Sequence, residues 1–514
     1  MLDFKSITQE TLRNNPSKTA LIIGNQEISY ADFEKTIDAH AACLAAQGLK
    51  KGDRVGLMSH NSDVLAALLF GAWRIGCVVV PLNHEYQGPE VEFAVAHGEI
   101  RLLIIQDCLA ERLSGSFTLP DCVETCFTFE ESVEGIGEPW KVQLEQEHPA
   151  ARPNPPEAGD PAAIYYTSGS TAKPKGVTHT AQSILETGRS RARTMGLAND
   201  DKWLLSTQLV HVSASLGSLV PALVVGGTVV FLEEFSPQNW LNAFRQHAPT
   251  RSVILPSLLH DILDCPELEG VDFSTIRSME CGGDFVTPDL YDQWDAITTS
   301  PLCQLIGMTE CEGYCLRQPQ AAVQRGSAGK PRQGVEVRVL DDQGQDVAAG
   351  EIGELCLRSH SMMTGYWDDP ENTARTIRDG WLHSGDQGRI DADGNVWFVG
   401  RVKEIIVKRG SNIAPGEVEG VLDEYPDIAA SAVVGTPPGK HGQRVVAFVE
   451  VEKGHQLDTA AAAEWAGNRI ATFKVPDEWV VLDALPRNAV GKLDRAELHR
   501  RSREMFPPLS PAGH

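Results

Sequence analysis

The chain has 514 residues, of which 42% are hydrophobic and 22% charged, and carries a formal net charge of −25. That length exceeds what one hydrophobic core organises and predicts at least two domains. The negative surface argues against nucleic acid and anionic membrane as partners, because both require clustered Lys and Arg, so any anionic ligand must sit in a locally basic pocket.

The opening MLDFKSITQE has no basic stretch followed by an apolar one and predicts no signal peptide. Eleven cysteines without Cys-x-x-Cys spacing read as buried free thiols in a reducing compartment, which places the chain in the cytoplasm. Residues 62–75 (SDVLAALLFGAWRI) have helical spacing, and Val78-Val79-Val80-Pro81 reads as a strand ending at the proline. Short β-branched runs recur at 102–105, 252–255 and 278–281. Helices alternating with such runs predict an α/β fold whose large N-terminal domain, residues 1–400, holds largely parallel sheets covered by helices.

Residues 204–232 contain no Asp, Glu, Lys or Arg, yet Gln208, His211, Pro221 and Gly226-Gly227 interrupt them. The most apolar part is shorter than the roughly 20 residues a membrane span needs, and it reads as a buried helix followed by a buried strand. From Gly326 onward, Gly/Asp turns between alternating strands at 335–339 and 396–399 predict a small β-barrel-like subdomain. A boundary near Gly400-Arg401-Val402-Lys403 opens a small α+β C-terminal domain, residues 401–514. The run Arg500-Arg501-Ser502-Arg503 reads as the solvated face of a terminal helix.

The proline-rich connector 147–161 leads to YYTSGSTAKPKGVTHT, residues 165–180. Backbone N–H groups of a glycine-containing loop, with Ser and Thr hydroxyls and a lysine, can wrap a phosphate. Thr167, Ser168, Gly169, Ser170, Thr171 and Lys175 therefore read as a polyphosphate cradle, although Ser/Gly/Pro connectors are commonly plain linkers. The Walker pattern does not fit, since counting from Gly169 puts Pro174 at its second glycine and Gly176 at its hydroxyl position.

Residues 166–176 resemble the phosphate loop of the adenylate-forming superfamily: acyl- and aryl-CoA synthetases, peptide-synthetase adenylation domains and luciferases. Four further stretches stand in the order that family shows. They are Gly307-Met308-Thr309-Glu310, Gly380-Trp381-Leu382-His383-Ser384-Gly385-Asp386, Gly400-Arg401 through Glu417-Val418-Glu419, and Pro486-Arg487-Asn488-Ala489-Val490-Gly491-Lys492. The pattern is nearest to acyl- or aryl-CoA ligases and implies ATP, Mg2+ and coenzyme A as cofactors.

Joining a carboxylate to the α-phosphate of ATP brings two anions together, so positive charge and alignment are required. The resemblance implies that Lys492 bridges the carboxylate and α-phosphate oxygens. Thr309 would bond the α-phosphate, and Glu310 with Thr171 would hold Mg2+. Asp386 would accept from the ribose hydroxyls and Arg401 donate to them, while Gly283, Asp284 and Ile306 would border adenine. Ile306 stands where an aromatic residue is common, Ala172 where glycine is usual, and Asp284 reads equally as an adenine acceptor or a helix cap.

Lys403 occupies the hinge position of the family, and rotation there would withdraw Lys492 and present residues 408–412 (KRGSN) to a pantetheine tunnel. Gly410, Ser411, Phe473 and Lys474 would then meet CoA; Phe473 reads equally as core. His211, Val212 and Ser213 would line the acid pocket, whose Val210, Val212 and Ala214 favour a neutral, largely apolar acid. The absence of an Asp in residues 208–215 disfavours an amino-acid substrate.

The resemblance therefore implies a ligase that turns a fatty or aryl acid into acyl-AMP and then a CoA thioester, with a small-molecule acid as its partner and a homodimer as a possible assembly. Loading of a separate carrier protein is the alternative acceptor, and a non-catalytic nucleotide-binding homologue is the alternative from another class. No motif speaks for luciferase-like oxidation.

Overall fold

The computed structural model describes residues 4–151, 154–167, 174–283, 286–316, 324–401, 405–486 and 493–507. The helix expected at 62–75 runs Asp63–Arg74, with Ser62 capping it by accepting from the Leu65 N–H at 3.1 Å. The strand after it, Val78–Leu82, does not stop at the proline but continues through Pro81, which pairs with Leu57. Its other neighbour, Pro161–Thr167, meets it at Val79↔Ala163, so the missing N–H of Pro81 falls beyond that pairing.

Two large sheets carry the N-terminal part. In the first, Arg54–Met58, Val78–Leu82, Leu102–Ile105 and Thr125–Thr128 run parallel, and the antiparallel hairpin Pro161–Thr167/Lys175–Thr180 extends it. In the second, Thr19–Ile23, Thr228–Phe231, Lys202–Leu205, Arg251–Ile254, Ser278–Gly282 and Leu302–Met308 are all parallel. Strand Cys311–Leu316 then turns back antiparallel.

One apolar core unites both sheets. Leu65, Phe70 and Trp73 pack with Val55 and Val79 of the first sheet and with Leu21, Trp203 and Val229 of the second. Helices Tyr30–Ala46, Asp63–Arg74 and Ala181–Met195 contribute to this core, as parallel strands buried on both faces require. Segment 204–232 holds a helical stretch in three parts, Val212–Ala214, the wide π-helical turn Ser215–Leu219 and Val220–Val224, followed by strand Thr228–Phe231. Among the described residues, no helix is long and apolar enough to cross a membrane.

A third, antiparallel sheet of five strands includes Val335–Leu340, Gly353–Ser359, Trp381–Ile390 and Val396–Arg401. Beyond it lie the short hairpin Ile406–Lys408/Ser411–Ile413 and the sheet Ile428–Gly435, Val445–Val451, Glu478–Leu482. Val418, Leu422, Val433, Val449 and Ile470 give this C-terminal part its own core. All eleven cysteines are free, with Cys108 exposed. On helix Arg495–Met505, Arg500 and Arg501 pair with Glu497, so the basic run is locally neutralised.

Candidate active site

Thr167 pairs with Lys175 as the last pair of the antiparallel hairpin Pro161–Thr167/Lys175–Thr180. Ser168, Gly169, Ser170, Thr171 and Ala172 lie outside the described residues. Lys175 is buried, with its Nζ 4.8 Å from the centre of the Tyr366 ring. The Tyr366 hydroxyl in turn donates to Glu310 Oε1 at 2.7 Å. Tyr366 therefore connects the loop lysine to the carboxylate three residues beyond Gly307.

Thr309 is held from behind. His179 Nε2 donates to the Thr309 carbonyl at 2.8 Å, and burial pushes the imidazole down to about 4, which keeps it neutral at pH 7. The Met363 N–H donates to the Glu310 carbonyl at 2.7 Å. These bonds fix the backbone of the Thr-Glu pair and leave the Thr309 side chain on the cavity wall.

Antiparallel pairing sets Asp386 directly opposite Arg401. Asp386 is buried, and the strand that carries it is fixed by Gly385 N–H donating to Glu354 Oε1 at 3.0 Å and by Ser384 Oγ donating to the Leu355 carbonyl at 2.6 Å. Two residues predicted to act on one ribose thus share a strand register.

A cavity of about 230 Å³ opens beside Thr309. Its walls include Thr167, His211, Val212, Ser213, Gly283 and Thr309, and they continue into Gly410, Ser411, Phe473 and Lys474 of the C-terminal part. Val253, Ile254, Leu255 and Leu305 supply apolar surface. His211 is open to the cavity yet walled by protein, and this desolvation pushes its imidazole below the usual histidine range. Gly410 has φ +79, and a Cβ there would stand 2.6 Å from both Leu255 methyl carbons. A glycine at the hairpin turn is what lets the C-terminal part approach the large domain so closely.

Phe473 packs against the C-terminal core, one of its two anticipated roles, and also lines the cavity. Lys474 donates to Glu417 Oε1 and Glu90 Oε1, each at 2.6 Å. Burial lowers its pKa, but the two carboxylates outweigh burial and leave the group above the ordinary lysine range.

Other anticipated residues are placed elsewhere. Ile306 packs in the core cluster with Val177, Tyr314 and Leu355 rather than on the cavity wall. Lys175, Glu310 and Asp386 lie off the wall as well. Asp284, Lys403 and Lys492 lie outside the described residues, as does the Arg401 side chain. Sequence reading missed Tyr366, Glu90 and Glu312.

Residues 8–367 match the AMP-binding enzyme family, and residues 417–492 match the AMP-binding enzyme C-terminal domain. Indoleacetate–CoA ligase of Aromatoleum aromaticum is 32% identical over 500 residues, covering 94% of this chain and 95% of that protein. The fatty acid–[acyl-carrier-protein] ligase ScoC of Streptomyces coeruleorubidus is 31% identical, covering 95% of this chain and 94% of that protein. A double mutant of o-succinylbenzoate CoA synthetase from Bacillus subtilis, solved with its product analogue OSB-NCoA, is 26% identical with a TM-score of 0.85, over 96% of this chain and 98% of that one. The chain belongs to the AMP-binding enzyme family.

Proposed function

We propose that the protein is an ATP-dependent carboxylic acid:CoA ligase acting through an acyl-adenylate. A carboxylate oxygen attacks the α-phosphorus of ATP and pyrophosphate leaves; the CoA sulfur then attacks the acyl carbon and AMP leaves. The carrying observation is that one cavity is walled both by Thr167, Gly283 and Thr309 and by Gly410, Ser411 and Phe473. The acid, its activating phosphate and the thiol arm would meet there.

In this reading Thr309, braced by His179, bonds the α-phosphate, and Lys175 with residues 167–171 holds the polyphosphate. Asp386 and Arg401 clamp the ribose. Glu310 offers a carboxylate oxygen whose partner oxygen Tyr366 already orients, a donor set suited to Mg2+, which would screen phosphate charge when bound. His211, neutral and open to the cavity, borders the acid, and its lack of charge suits an uncharged acid tail. Lys492 would supply the charge for adenylation after rotation about Lys403.

The described arrangement has Gly410, Ser411 and Asn412 against the cavity, and likeness to a synthetase bound with OSB-NCoA supports assigning it to the thioester-forming step. Eleven free thiols support a cytoplasmic location.

The test is release of AMP and pyrophosphate from ATP across fatty, aryl, keto and amino acids, with and without CoA. AMP release that rises strongly with CoA for one acid class supports the ligase. The fatty acid–[acyl-carrier-protein] relative favours a second reading, in which pyrophosphate appears once per enzyme without CoA stimulation and a carrier protein accepts the acyl group.

A further inference from the structure

Glu312 lies on the cavity wall three residues beyond Thr309 and is 3% exposed. Its Oε1 accepts from Arg191 Nη1 at 2.7 Å, and the other Nη of Arg191 reaches Glu280. The pair is built into the fold by absent side chains. A Cβ on Gly217 would stand 2.4 Å from Glu312 Oε1, and one on Gly313 would stand 2.5 Å from Arg191 Nη1.

Two buried carboxylates share this guanidinium, and Glu312 Oε2 has no hydrogen-bond partner among the described residues. Leaving a buried carboxylate oxygen unpaired is costly in a low-dielectric site. Arg332 sits beside the pair, its Nη2 donating to the Glu312 carbonyl at 3.0 Å. Its charge balances the second carboxylate; Glu280 Oε1 and Arg191 Nε are likewise without a hydrogen-bond partner among the described residues, and of these three groups Glu312 is the one on the cavity wall.

We propose that Glu312 Oε2 reads a donor on the tail of the substrate. The acid is then neutral and largely apolar, matching Val253, Ile254, Leu255 and Leu305, with one O–H or N–H at the end remote from its carboxylate. This names the substrate class for the ligase proposed above and rests on that reading only for the acid being a substrate. A site built to hydrogen-bond such a group rejects the analogue lacking it far more strongly than a pocket rejects a missing methylene.

The test is calorimetric binding of matched acids to the full chain and to Glu312→Gln. One set is 3-phenylpropanoate with its ring-hydroxylated and ring-methoxylated forms at each position. The other is indole-3-acetate with 1-methylindole-3-acetate. In the unaltered protein at least one donor-bearing acid should bind at least about tenfold tighter than both its unsubstituted and its methylated partner. In Glu312→Gln, Arg191 holds the amide oxygen and turns the NH2 toward the cavity, so that preference should vanish or reverse.

Binding of every set within about twofold, binding of no donor-bearing acid, or an unchanged preference in a Glu312→Gln protein of native thermal stability would overturn the proposal. Failure of the ligase reading is separate: the acid would bind with the stated preference, yet ATP and CoA would yield no AMP.

Discussion

Lys474 donates to Glu90 across 384 positions of sequence, at 2.6 Å, and thereby ties the C-terminal part to helix Gly88–His97 of the large domain. Both groups are buried, whereas Arg409 with Asp261 and Lys440 with Asp264, which also cross this boundary, are partly solvent-exposed and individually weak. Glu90→Gln keeps an acceptor for the Gln87 N–H that caps the helix but removes the charge opposite Lys474. Thioester formation from preformed acyl-AMP should slow about tenfold, equivalent to ~1.4 kcal/mol, while pyrophosphate exchange holds or rises. Equal effects on both half-reactions would show that the pair does not select this arrangement.

Lys492→Ala should lower acyl-AMP formation by roughly three orders of magnitude, the scale of a lost transition-state charge contact. Thiolation of supplied acyl-AMP should survive. Single-turnover assays of each half-reaction decide the matter, and equal loss in both would remove Lys492 from its assigned role. Lys403→Pro should do the reverse by stiffening the hinge.

Tyr366→Phe deletes the hydroxyl that orients Glu310 and leaves the ring beneath Lys175. A hydrogen bond to a charged group contributes about 1.5–3 kcal/mol. Titration of pyrophosphate release with Mg2+ should therefore show a midpoint raised about tenfold or more, with the stability of the fold little changed. An unchanged midpoint would mean that Glu310 does not serve the metal.

His179 titrates at about 4 in the folded state against 6.5 when unperturbed, because burial penalises its charged form. Its folded value is the lower one, so the unfolded chain takes up the proton first as pH falls. Stability is full above about pH 6.5 and is lost progressively toward pH 4, by up to about 3 kcal/mol. His40, which burial also holds at about 4, and His84, held at about 3, add losses in the same window. Urea midpoints measured between pH 7 and 4 should fall, and His179→Gln should flatten that dependence by about a third; an identical slope would dissociate the effect from His179.

Much of this molecule is legible along the chain. Alternation of helix-periodic and β-branched runs predicted parallel sheets clad in helices. Such signals are local, because period, capping and turn chemistry act within a few residues. The Asp386 and Arg401 pairing was also near at hand, since a short antiparallel connection sets its register.

Three relationships came only with the tertiary structure. Tyr366 meets Glu310 across 56 positions, Arg191 meets Glu312 across 121, and Lys474 meets Glu90 across 384. In sequence Tyr366, Arg191, Glu312 and Glu90 carry no signal, and Glu310 and Lys474 read only for other roles, because nothing nearby names their partners. Burial gives them meaning: water is excluded, a charge must find a complement, and the partner is whichever residue the sheet order and the domain contact bring within reach. The motifs that imply a phosphate site are therefore local in sequence, while the Arg191 and Glu312 pair at the cavity wall and the Lys474 and Glu90 contact were decided by packing.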